Sequence, residues 1–73
     1  MSGILPSLTP KEAAAALERM GFRLFRQRGS HRIYVKEDLQ VIVPFHSKDL
    51  KKGTLHQIVK GSGVSVEEFL KHL

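Results

Sequence analysis

His31 sits in the run Arg26-Gln27-Arg28-Gly29-Ser30-His31-Arg32, one imidazole among three guanidinium groups. An imidazole takes up and gives back a proton near neutral pH. Arginine forks hold phosphate through paired hydrogen bonds and stack on bases. Together these residue types suit a phosphodiester. RNA carries its own nucleophile, the 2′-hydroxyl, which one placed histidine can activate while cations stabilise the charge that develops on phosphorus. DNA lacks that group. The plain alternative is that His31 is a polar turn residue on a solvated surface.

The charge is unevenly spread. Residues 22–36 hold Arg23, Arg26, Arg28, Arg32 and Lys36 and no acid. Lys48, Lys51, Lys52 and Lys60 form a second group offset only by Asp49. Such clusters follow a polyanion's backbone, RNA above all, and the same charge would also dock an acidic protein. His46, in Pro44-Phe45-His46, is a second candidate for chemistry, with a polar strand end as the commoner role at such a position. His56 reads as structural or exposed, and His72, in a terminal turn, as exposed. Tyr34 and Phe25 have the aromatic faces to stack on bases, though core packing is the commoner fate of both.

Other chemistries find no footing in the sequence. No pair among the acids Glu12, Glu18, Glu37, Asp38, Asp49, Glu67 and Glu68 sits with a histidine at the spacing of a metal motif, and Glu67-Glu68 is explained by its place at a helix start. A two-metal nuclease needs several converging carboxylates. No metal and no cofactor is expected. The glycines match no phosphate-loop pattern. With no cysteine there is no thiol nucleophile, disulfide or cysteine-held metal.

These residues need a scaffold, and the local signals supply one. Thr9-Pro10-Lys11-Glu12 is a capping box, followed by Ala13, Ala16, Leu17 and Met20 on one helical face and Gly21 as a stop. Thr54-Leu55-His56-Gln57 reads as a second box, with Leu55, Ile58 and Val59 on one stripe and Gly61 or Gly63 as terminator. Ser65-Val66-Glu67-Glu68 reads as a third, ahead of Phe69, Leu70 and Leu73. Between them the period becomes that of strands, over residues 22–28, 31–36 and 40–45. Gly29-Ser30 suits a type II′ hairpin that sets Arg28 opposite His31. Lys36-Glu37-Asp38-Leu39 makes the next turn. The expectation is α+β: a helix, a three-stranded antiparallel sheet, a helix and a short C-terminal helix. The helices must cover one sheet face and leave the other open.

Size and composition agree. The chain has 73 residues, 41% apolar and 26% charged, with a net charge of +5. That is one domain with a small core. Residues 1–8 are expected as a loose arm and 9–73 as the folded unit. No apolar run spans a bilayer and the start lacks a secretory pattern, so no membrane contact and a cytoplasmic location are expected.

The ordered set Gly21-Phe22, Gly29-Ser30-His31, Tyr34, Pro44-Phe45-His46, Leu50-Lys51-Lys52-Gly53-Thr54-Leu55, Ile58, Gly63-Val64-Ser65 and Glu67-Glu68-Phe69 resembles the HicA family of toxins. The resemblance runs from about Thr9 to Leu70. It implies a fold like the double-stranded RNA-binding domain. It also implies an mRNA interferase, an endoribonuclease acting independently of the ribosome and paired with a HicB-type antitoxin. The family's catalytic histidine falls on His31, with Gly29 and Ser30 as the turn that presents it. His46 matches a family segment without an assigned role. Arg23, Arg26, Arg28, Arg32, Lys48, Lys51 and Lys52 remain the RNA-binding candidates. A non-catalytic RNA-binding module of the same fold is the main alternative, and a basic face that only docks an acidic partner is the third.

Overall fold

The computed structural model describes residues 5–46 and 48–73. Thr9 caps α1 (Pro10–Arg19) as its sequence demands: its hydroxyl accepts from the Glu12 N–H at 3.1 Å, and the Glu12 carboxylate accepts from the Thr9 N–H at 2.9 Å. Pro10 fills the first helical position, where a missing N–H costs nothing. Gly21 ends the turn after the helix at φ +100°, a conformation that disfavours any Cβ. The chain then enters β1 (Arg23–Arg28), β2 (His31–Lys36) and β3 (Leu39–Pro44).

The sheet is antiparallel in the order β1-β2-β3. Gly29 has φ +58° while Ser30 does not have a positive φ, the sign pattern of the expected type II′ turn, and Arg28 pairs with His31. The second hairpin turns at Glu37-Asp38, with Lys36 opposite Leu39. There Glu37 takes φ +53°, the only non-glycine among the described residues to do so. Lys36 is tied down at this end, its Nζ donating to the Met20 carbonyl at 2.7 Å.

Two further helices follow, α2 (Lys52–Gly61) and α3 (Val66–Leu70). The start of α2 differs from the expectation. Thr54 lies inside the first turn instead of capping it; Lys51 is the N-cap, in extended conformation and with no side-chain hydrogen bond to the helix. The box pattern at Thr54 is therefore coincidental, because the helix begins before it. Ser65 does cap α3, accepting from the Glu68 N–H at 3.1 Å. Gly63, at φ +79°, lies just past the α2 C-cap Ser62.

The helices cover one sheet face. Ala13, Ala16 and Leu17 of α1, Leu55, Ile58 and Val59 of α2 and Phe69 of α3 bury against Tyr34, Val41 and Val43. Small alanines let α1 approach the sheet closely. The described part of the expected arm, residues 5–8, is fastened to the domain and not loose. Leu5 and Leu8 are buried in this core, and the Leu8 carbonyl accepts from the Leu50 N–H at 2.7 Å. Leucines at those positions gain more from burial than from solvent. Residues 1–4 of the expected arm lie outside the described residues.

Candidate nucleic-acid interface

Register decides which side chains share the open face of the sheet. Residues paired across antiparallel strands point the same way, and neighbours along a strand point opposite ways. Leu24, Tyr34 and Val41 form one row toward the helices. The opposite side carries three rows: Arg23, Val35 and Gln40; Arg26, Ile33 and Ile42; Arg28, His31 and Pro44. His31 is therefore an exposed residue at one end of the middle strand, with an arginine on one side and a proline on the other. No acid stands among these nine residues.

A β-bulge makes this arrangement. The pairing slips between Leu24 and Arg26, so Phe25 is an extra residue in β1. Plain alternation from Arg23 would send Arg26 and Arg28 to the helix side. The inserted residue reverses the parity and brings both onto the side of His31, as bulges re-aim the strand that contains them. All six residues of β1 are exposed. Ion pairs among the described residues involve only Glu68, with Lys71 and His72, so Arg23, Arg26 and Arg28 are free of carboxylate partners there.

Arg32 is placed differently from the other three. It pairs with Val43, on the helix side, and its guanidinium stacks over the Phe45 ring at 4.0 Å from the centroid. Its Nε is buried without a hydrogen-bond partner. A cation held on an aromatic face in this way steadies the chain leaving β3. That contact was not legible in the sequence, where Arg32 reads as one more member of a cluster.

The hairpin tip is held to the same segment. The Phe45 N–H donates to the Ser30 carbonyl at 2.6 Å, and Gln27 Nε2 donates to the Gly29 carbonyl at 3.0 Å. His46 follows one residue after this tie, at the same end of the sheet as His31. Its Nδ1 accepts from the Lys48 N–H at 3.2 Å, which leaves the ring proton on Nε2. His46, Lys48, Asp49, Lys51 and Thr54 line a cleft of about 490 Å³ at the start of α2. The second basic group is thus divided: Lys48 and Lys51 line the cleft, and Lys52 is exposed in the first turn of α2.

Among the described residues, no three of His, Cys, Asp or Glu gather as a metal site, and no helix is long and apolar enough to cross a membrane. Aromatic fates split. Tyr34 is 1% exposed in the core, whereas Phe25 is 58% exposed.

The fold and this face define a small basic α+β domain that presents a histidine and three arginines on an open sheet. The family described as HicA toxin of bacterial toxin-antitoxin matches residues 10–64, which includes the whole sheet and α2. The chain belongs to the HicA toxin family. No curated protein matches it. Its role is that of the toxin in a toxin–antitoxin pair.

Proposed function

We propose that this toxin is an endoribonuclease that cuts mRNA, without the ribosome and without a metal ion, using His31 as general base. The observation that carries the reading is the row Arg28, His31, Pro44 on the open face, with Arg26 and Arg23 further along the same edge. The neutral imidazole takes the proton of the 2′-hydroxyl, and O2′ attacks the adjacent phosphorus. The bond from phosphorus to O5′ breaks, and the leaving oxygen takes up a proton from the imidazolium or from water. Products are a 2′,3′-cyclic phosphate and a 5′-hydroxyl. Arg28 is the nearest cation to the growing charge on the phosphoryl oxygens, while Arg23 and Arg26 hold neighbouring phosphates. The scattered carboxylates favour this route over a two-metal one.

Binding should weaken steeply with salt. For a single strand the log–log slope is roughly −0.7 per neutralised phosphate. With the His31→Ala protein, replacing Arg26 and Arg28 together should flatten that slope by roughly 1.4. Replacing Arg32, already stacked on Phe45, should change it less. Equal slopes for all of these proteins, measured by fluorescence anisotropy, would make the open-face arginines a solvated surface.

The partner in this reading is an acidic HicB-type antitoxin that covers His31 and the arginines. A domain this small has little room for a lid, so occupation by a partner is the economical form of control. A standard interface takes about 800 Å² per partner, a large share of the 4898 Å² surface of the described chain. Antitoxin should displace RNA from the His31→Ala protein in a competition titration. A ternary complex that still holds RNA at full affinity would contradict this placement.

A further inference from the structure

We propose that Phe25 is a base-stacking subsite: it takes the face of one unpaired base of RNA whose phosphates lie along Arg23, Arg26 and Arg28. The inference rests on the RNA reading above and adds a residue that does not act on the scissile bond.

Phe25 is the most exposed large apolar side chain among the described residues, at 58%. It is not part of the core cluster and not among the hydrophobic residues packed against it. The bulge that contains it has one evident structural use, since a bulge and charged side chains protect an edge strand from pairing with another chain. Arginines on either side already serve that purpose, and a polar residue at position 25 would serve it better than an aromatic one. Protection of the edge explains the bulge but not the phenyl ring.

The ring's setting fits a base. Leu24 pairs with Tyr34 on the helix side, so alternation carries Phe25 to the open side. Arg26, the next residue, also lies there because of the bulge. An exposed ring flanked by two cations, on a face without carboxylates, combines the two elements that bind single strands with little sequence preference. Cations track the backbone, and an aromatic face accepts any base. A base paired in a duplex keeps both its faces covered by neighbours. Phe25 therefore gives the site a preference for unpaired RNA. Ile33 and Ile42 lie on the same face and extend the apolar floor beside it, Ile42 at 48% exposure.

The chain has no tryptophan, so Phe25→Trp introduces the sole indole reporter. In the whole 73-residue chain carrying His31→Ala, the Phe25→Trp variant should bind a single-stranded RNA oligonucleotide at least as tightly as its parent. Its emission should be quenched as the RNA is added. Inorganic polyphosphate, which supplies charge without bases, should leave the emission unchanged. Phe25→Ala and Phe25→Leu should weaken binding of the same RNA by roughly 5- to 150-fold, the range that aromatic–base stacking gives, with circular dichroism unaltered. Equal affinity of Phe25→Ala and its parent, or equal quenching by polyphosphate, would overturn the subsite. So would quenching by an acidic protein but not by RNA, which would assign the ring to a protein partner. RNA binding that depends on Phe25 in a protein whose His31 form never cuts RNA would keep the subsite and overturn the nuclease reading. Cleavage that is indifferent to Phe25 would do the reverse.

Discussion

His31→Ala is expected to lower the rate of RNA cleavage by roughly 100- to 10,000-fold, the usual consequence of removing a general base. The fold should survive. His31 is exposed and its place in the sheet comes from backbone pairing with Arg28 and Pro44, not from burial of its ring. Substitutions at such surface positions usually change stability by no more than ~0.5 kcal/mol. The turn that presents it is independent of the imidazole, since Gly29, the Phe45–Ser30 bond and the Gln27–Gly29 bond define it. A thermal melt and a cleavage time course on the same preparation separate the two effects. Folded variant protein that cuts at the wild-type rate would remove His31 from the mechanism. Wild-type protein that binds RNA and never cuts it would favour the non-catalytic module, which the same fold and charge support.

The second large effect is on the substrate side. A 2′-O-methyl group at the scissile nucleotide should abolish cleavage there, because the methylated oxygen has no proton to give and is a poor nucleophile. Methyl groups elsewhere in the oligonucleotide should be tolerated. The contrast isolates the attacking oxygen from general effects on binding. Unchanged cutting at the methylated position, resolved on a sequencing gel, would mean that water and not the ribose attacks the phosphorus.

Much of the scaffold was legible in the residues. Thr9 with Glu12, Gly21, Gly29-Ser30 and Ser65 carry their conformations locally, so the caps and the first turn followed from side-chain chemistry alone. The α+β order and the opposition of Arg28 and His31 followed in the same way. Three features depended on packing and were not legible. Alternation cannot reveal the bulge at Phe25, and without it the arginines of β1 divide between two faces. Leu5 and Leu8 precede any periodic pattern, and only the assembled core shows where they bury. Thr54 sits three residues inside a helix whose first residue is set by the chain arriving from Leu50 and Lys51. For the candidate site, His31, its turn and the arginines stood out by type and spacing. The separation of Arg32 from the rest, and the exposure of Phe25 against the burial of Tyr34, required the register. Charge patterning finds a basic surface, but it does not say which side of a strand each cation occupies.

Most direct for the central claim is mass spectrometry of the new ends made when purified wild-type protein meets a defined single-stranded RNA in excess EDTA, with His31→Ala in parallel. Internal attack activated by His31 predicts 2′,3′-cyclic phosphate and 5′-hydroxyl ends in the wild-type digest, undiminished by the chelator, and intact RNA with the variant. Ends with 3′-hydroxyl and 5′-phosphate, or cleavage that EDTA stops, would contradict it.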